Sequence, residues 1–199
     1  MAQGFRVLAV GVGGQGILLF SRVIGEAALL EGLPVAMSEV HGMAQRGGVV
    51  ETSIVLGEVK SPYISPGEAD VLVALEPVEA LRALSRCRRE ATAILSIDPV
   101  VPQVVKDGLA TYPELPPLLE KLRTVLPRVY LLSGEDLARK AGSAKALNVV
   151  LLGALAGSGT LPLAKEAFLE ALRRVVKPAY LDLNLRAFDL GYQAVLSAQ

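Results

Sequence analysis

Cysteine and histidine are nearly missing from this chain of 199 residues, which has one of each, Cys87 and His41. One thiol cannot close an intramolecular disulfide, and one thiol with one imidazole falls short of the ligand set of an ordinary zinc or iron-sulfur centre. Any metal cluster the protein works with therefore belongs to a partner. Aromatic residues make up only 5% of the chain, no basic stretch is interleaved with them, and twenty basic side chains balance twenty acidic ones. Such neutrality speaks against nucleic acid and against an acidic membrane surface as partners. Long hydrophobic runs are lacking too: the longest, at about 149–157, falls well short of the roughly 20 residues of a membrane helix. Residues 1–6 lead straight into a strand rather than a signal peptide, so a cytoplasmic protein is expected.

Apolar residues are plentiful. A hydrophobic content of 52% in 199 residues is enough for a substantial core and one compact unit spanning 1–199. The mean hydropathy of +0.46 is high for a chain of this size, and points to apolar surface covered by another subunit.

The organising stretch is Gly11-Val12-Gly13-Gly14-Gln15-Gly16. It follows the apolar run Val7-Leu8-Ala9-Val10 and opens onto apolar residues at helical spacing, Ile17, Phe20, Ile24 and Ala27, so it reads as strand, glycine turn and helix. Glycines permit positive φ and leave amides free at a helix start, where anions can sit; the same spacing also simply packs a helix on a sheet. A second strand is expected at about 34–39, and Glu39 lies where a dinucleotide fold puts its ribose-binding carboxylate. The next loop argues otherwise. Residues 41–48 are too few for a parallel crossover, so the alternating strand Val50, Thr52, Ile54, Leu56 is expected to run antiparallel or to join a sheet edge.

Further strands are expected at Asp70–Leu75, Ala93–Ile97 and Val129–Leu132, with helices from Pro77 to about Leu84, Leu118 to Leu126, and Ser133 to about Gly142. From about 143 the chain reads as mainly helical, with Ser143 as the cap of a helix through Leu155, Pro162 starting one through Val176, and a last helix marked by Leu181, Leu185, Phe188, Tyr192 and Val195. The fold class is α/β: a Rossmann-like open mixed sheet with flanking helices and a helical C-terminal segment. Cys87 sits among Arg86, Arg88 and Arg89, which would activate it; the plainer reading is a thiol at a helix end in a solvated basic patch.

The densest polar cluster, 38–48, should emerge at the same sheet edge as the glycine turn, forming a crevice of the kind that binds ligands in open α/β sheets. There Arg46 is suited to a phosphate or carboxylate, Gln45 and Ser38 to hydrogen bonding, and His41 to proton exchange near neutral pH. The plain alternatives are a loop-stabilising His41 and a Glu39–Arg46 ion pair. No nucleophile with a neighbouring base and no carboxylate dyad is evident from spacing.

Taken in order, 11–17, 38–48, Gly67-Glu68-Ala69-Asp70, Glu76-Pro77-Val78-Glu79-Ala80, 148–163 and 184–192 resemble the gamma-type domain of 2-oxoacid:ferredoxin oxidoreductases, and most of all the indolepyruvate branch. The resemblance covers nearly the whole chain. It implies oxidative decarboxylation of a 2-oxoacid to an acyl-CoA, with coenzyme A as co-substrate and ferredoxin as electron acceptor. It also implies that thiamine diphosphate, magnesium and iron-sulfur clusters are held by a large alpha subunit, that this chain binds no metal, and that the isolated chain is inactive. His41 and Arg46 are then expected to support the partner's active site, with Gly11, Gly13, Gly14, Gln15, Gly16, Ser38, Glu39, Gln45, Gly47 and Gly48 lining the cofactor region. The pocket that selects the oxoacid side chain is expected to lie mostly outside this polypeptide. The competing readings are a free-standing Rossmann-like NAD- or FAD-binding oxidoreductase and a non-catalytic scaffold subunit.

Overall fold

The computed structural model describes residues 4–42, 48–58 and 60–198. The chain runs β1 (Phe5–Val12), α1 (Ile17–Leu30), β2 (Val35–His41), β3 (Val49–Leu56), β4 (Ala69–Ala74), α2 (Pro77–Ala83), β5 (Cys87–Ser96), α3 (Gln103–Lys106), α4 (Leu115–Val125), β6 (Arg128–Leu132), α5 (Gly134–Ala141), α6 (Leu147–Gly157), α7 (Lys165–Val175) and α8 (Pro178–Leu196). The strands form one sheet in the order β2-β3-β1-β4-β5-β6. β3 is antiparallel to both β1 and β2, while β4, β5 and β6 continue parallel from β1. The short loop after β2 thus forces the reversal expected for β3, and the open mixed sheet with its helical C-terminal segment is as expected.

The two-residue period of the strands divides the core between the two faces. Val7 and Ala9 of β1, Val71 and Val73 of β4 and Ile54 and Leu56 of β3 join the core packed on α1, α6, α7 and α8. Leu8 and Val10, Leu72 and Ala74, and Val55 point the other way, into the core under α2 and α4. Both faces of the central strands are covered, which is why they read as continuous apolar runs. The longest apolar run of the chain forms the helix α6, which is buried on nearly every side. Among the described residues no helix is long and apolar enough to cross a membrane.

Two of the boundaries that differ from expectation have local reasons. Ser143 caps a short 3-10 turn, accepting from the Lys145 amide, before α6 begins at Leu147. Strand β5 starts at Cys87, six residues before the apolar run that marks it in sequence, because Cys87 pairs with Ala69 of β4 ahead of a register shift that brings Thr92 opposite Val71. Cys87 does close a helix end, the 3-10 turn Leu84–Arg86 that continues α2, but its thiol is not in a solvated patch. It is half-buried at a strand start, where burial pushes its thiol up to about 12 against the weaker pull of Arg86. The flanking arginines are committed elsewhere, Arg86 to Glu51 and Arg88 to Asp70.

Candidate site at the carboxyl edge of the sheet

From β1 the chain passes through α1 on one face to β2, and from β4 through α2 on the other face to β5. The carboxyl ends of β1 and β4 therefore form the topological switch point of the sheet, the place where open α/β sheets hold ligands.

The glycine turn at this point is braced from inside. Gln15 folds back so that Oε1 accepts from the Val12 amide at 2.8 Å and Nε2 donates to the Leu75 carbonyl at 2.8 Å, tying the ends of β1 and β4 together. A Cβ at Gly11 would stand 2.6 Å from that same Gln15 oxygen. Gly16 heads α1 with φ 80, and a Cβ there would press on the Asn148 carboxamide, whose Nδ2 donates to the Gly16 carbonyl at 2.9 Å. Gly14 is the open side of the turn among the described residues: φ is +101 and none of them stands within 4 Å of where a Cβ would be. Helix α1 starts with no side-chain cap and no acidic residue in its first turn, so the positive end of its dipole is left uncompensated beside Gly14.

The polar loop meets this turn at its Gly48 end, and its two described ends are tied to each other. The Gly13 amide donates to the Gly48 carbonyl at 2.8 Å, and Gly42 donates to Val49 at 2.8 Å. His41 shares with Gly14 and Leu18 a cavity of about 340 Å³ on the α1 side. Its Nε2 lies 3.6 Å from Glu39 Oε2, so Glu39 pairs with His41 rather than standing alone. Gln45, Arg46 and Gly47 lie outside the described residues.

Ser38 and Glu39 are not brought to the glycine turn. They sit on edge strand β2, paired with Ser53 and Thr52 of β3, which in turn pair with Leu8 and Ala9 of β1. Two strand spacings, roughly 10 Å, therefore separate Glu39 from β1. In a dinucleotide fold β2 lies beside β1; here β3 occupies that place, so Glu39 does not take the ribose position.

A second cavity, about 420 Å³, opens on the α2 side of the same edge. Its polar wall is Glu76, Glu79, Arg82 and Tyr112. Glu76, only 2% exposed, caps α2 by accepting from the Glu79 amide at 3.0 Å and also accepts from the Tyr112 hydroxyl. Burial raises the Tyr112 hydroxyl above the phenol range, and the Glu76 carboxylate adds to it. Glu79 is 5% exposed; burial lifts its carboxyl above the usual range and neighbouring Glu76 adds, while Arg82, 2.6 Å away, opposes. Sequence reasoning noted the Glu76–Ala80 stretch without assigning it a site. The signal was there: a glutamate directly after a buried strand, before proline at a helix start, stands at the carboxyl edge by construction.

Comparison with known proteins fits this architecture. Residues 6–194 match the family described as pyruvate ferredoxin/flavodoxin oxidoreductase. The chain belongs to this family. Within it, the chain is 44% identical over 193 residues to the indolepyruvate oxidoreductase subunit IorB of Archaeoglobus fulgidus, covering 97% of this chain and 96% of that one. Among solved structures, the gamma subunit of a keto/oxoacid ferredoxin oxidoreductase from Geobacter sulfurreducens superposes with a TM-score of 0.71 at 22% identity, covering 97% of this chain and 99% of the other. A 2-oxoglutarate:ferredoxin oxidoreductase from Magnetococcus marinus gives a TM-score of 0.76 at 19% identity; all of this chain matches 32% of that longer one. This family member is thus a subunit of the oxidoreductase type, with the gamma-subunit fold. The free-standing nucleotide-binding reading loses the support of Glu39 and keeps only the glycine turn.

Proposed function

We propose that this chain is the small subunit of an indolepyruvate-type 2-oxoacid:ferredoxin oxidoreductase, catalysing in complex the oxidative decarboxylation of a 2-oxoacid to an acyl-CoA with reduction of ferredoxin. The observation that carries the reading is 44% identity along nearly the whole chain to an indolepyruvate oxidoreductase subunit. Thiamine diphosphate, magnesium and the iron-sulfur clusters belong to a large alpha subunit. A chain with one cysteine and one histidine does not fit a cluster, and among the described residues no three His, Cys, Asp or Glu side chains group to hold a metal ion. The domain spans 1–199, works in the cytoplasm, and is inactive alone.

In that complex the carboxyl edge of the sheet faces the partner's active site. Gly14 and the uncapped start of α1 offer amides and a positive dipole end to an anionic group, such as a carboxylate or a phosphate of coenzyme A. His41, more than half exposed beside them with Glu39 as its ion-pair partner, is placed to move a proton at its imidazole. Arg46, in the segment joining β2 to β3, adds a bidentate cation.

The test begins with purification of the tagged chain from its native cells, recording what co-purifies and the visible spectrum. A large partner with brown iron-sulfur absorption, and oxoacid-dependent reduction of ferredoxin, is the expected result; a colourless protein without a partner, inactive on every 2-oxoacid, overturns the reading. In the assembled enzyme, His41→Ala and Arg46→Ala should each slow turnover by about 10²-fold or more while leaving assembly intact. Unchanged kinetics would remove both residues from the site and leave a scaffold role.

A further inference from the structure

The α2-side cavity has a roof that is pinned only at its ends. Its floor is the sheet edge and α2, through Val12, Val49 and Val78; its roof is the segment 99–111, which contains α3 and lines the cavity with Val100, Pro102 and Val105. At one end Asp98 Oδ2 accepts from the Ser96 hydroxyl at 2.6 Å and from the Glu135 amide at 2.8 Å. At the other the Tyr112 hydroxyl donates to Glu76. Proline follows each anchor, at 99 and 113, and restrains the backbone there. Between the anchors the bonds stay inside the segment: the amides of Val105 to Leu109 donate to carbonyls of 102–105, and Gln103 Nε2 donates to Asp107 at 2.7 Å. Among the described residues, none of 99–111 makes a hydrogen bond or ion pair outside it.

Packing does not hold the roof down either. None of the four residues of α3 is buried, and Leu109 is 79% exposed. Roof and floor line the cavity instead of packing on each other, so little apolar burial opposes their separation. The wall then sets what can enter. Its valines and Pro102 are apolar, and its carboxylates are engaged, Glu76 with Tyr112 and the α2 cap, Glu79 with Arg82. Two carboxylates against one guanidinium leave the wall net negative, which turns an anion away. The volume of about 420 Å³ lies within the roughly 300–1,000 Å³ of small-molecule sites.

We propose that 99–111 is the lid of an apolar binding site, that Tyr112 latches it to Glu76, and that an uncharged apolar group enters when the latch opens. The lid turns as one piece about its proline-flanked ends, as lids hinged at a few residues do. Glu76 stays in place when the tyrosine leaves, because its other oxygen holds the Glu79 amide at 3.0 Å. The lid goes beyond the proposed function and does not rest on it.

The experiment uses the protein purified with whatever partner it holds, carrying Val78→Cys as a reporter on the cavity floor. Labelling by uncharged methyl methanethiosulfonate is followed by the intact mass of this chain, with the chain lacking the reporter as the blank for Cys87. Tyr112→Phe keeps the ring and removes only the hydroxyl; losing one hydrogen bond to a charged group should speed labelling by about tenfold or more. Saturating toluene should slow labelling by about fivefold or more, because the liganded cavity excludes the reagent, whereas p-toluenesulfonate, the same ring as an anion, should not. Equal rates with and without the Tyr112 hydroxyl overturn the latch. Should Tyr112→Phe not fold, Glu76→Gln, which weakens the same bond, is read in its place and must speed labelling in the same way. Labelling that toluene leaves unchanged, or that the sulfonate slows equally, overturns the apolar site. Each of these results leaves the proposed function standing, and an enzyme inactive on every 2-oxoacid brings that function down without touching the lid.

Discussion

Replacing Gly153 by alanine should destabilise the protein, although alanine is the better helix former. Gly153 lies in the middle of α6, where that helix crosses α8 at backbone contact: a Cβ at 153 would overlap the Phe188 carbonyl oxygen and lie 3.0 Å from the Phe188 Cα. The contact is reciprocal, since a Cβ at Gly191 would overlap the Val150 carbonyl. These obstacles are helix backbone, which cannot swing aside as a side-chain tip would, so α6 and α8 must part by roughly 1 Å to restore ordinary contact. A gap of that size forfeits a quarter to a half of each contact across the crossing, and overpacking of this kind costs about 1–3 kcal/mol. The gain in helix propensity returns about 0.8–1.0 kcal/mol. With backbone rather than side chains in the way the upper part of the range applies, for a net loss of about 2 kcal/mol. For a domain of this size that lowers Tm by about 4–8 °C, read by circular dichroism melting of the variant beside wild type. An unchanged or higher Tm would mean that propensity wins, and that α6 and α8 are not packed backbone to backbone.

Cys87 should be inert in the folded protein. With its thiol pushed from 9.0 up to about 12, alkylation by iodoacetamide at pH 8 should run about 30–60-fold slower than in denaturant, the scarcer thiolate being partly offset by greater nucleophilicity; comparable rates would place the thiol in solvent. Glu79→Gln should shift stability with pH in a defined direction. Because burial raises the folded-state value of Glu79 above its ordinary 4.5, its contribution to stability is fully present below about 4.5 and is lost as pH rises through the raised folded value. The variant has no such titration, so its stability relative to wild type should improve from pH 4 to pH 7 in urea titrations; a constant difference would show that Arg82 offsets the burial completely.

Strand and helix order was legible because the period of the chain changes at each boundary. The alternation Val50, Thr52, Ile54, Leu56 and the short loop before it together dictated an antiparallel β3. Helix α3 was not legible: four residues in a proline-rich stretch, none of them buried, carry no periodic signal. The extension of β5 back to Cys87 was hidden for the opposite reason, since Cys87-Arg-Arg-Glu90 carries residues that a buried strand would not use and joins β4 only through Cys87 before the register shifts. At the site, the glycine turn was visible because glycine names its own backbone. Gln15 was also visible, but its bonds to Val12 and Leu75 turn it inward as a brace rather than outward to a ligand. Tyr112 could not be found from sequence, because it reaches Glu76 across 36 residues and no local pattern encodes that meeting.

The short loop between β2 and β3 settles what kind of site the glycine turn can serve. Had a helix followed β2, that strand would lie beside β1 and Glu39 would stand where a ribose binds. Instead the chain reverses at once, β3 takes the place beside β1, and Glu39 moves outward to pair with His41. The same reversal carries the start of β3 to the glycine turn, where Gly13 donates to Gly48. A dinucleotide pocket is lost and a stitched polar edge is gained, with the α1 dipole on one side and the Glu79 cavity on the other. Among the described residues this edge is open above Gly14, and that openness suits the proposed reading of a ligand held mainly by a partner.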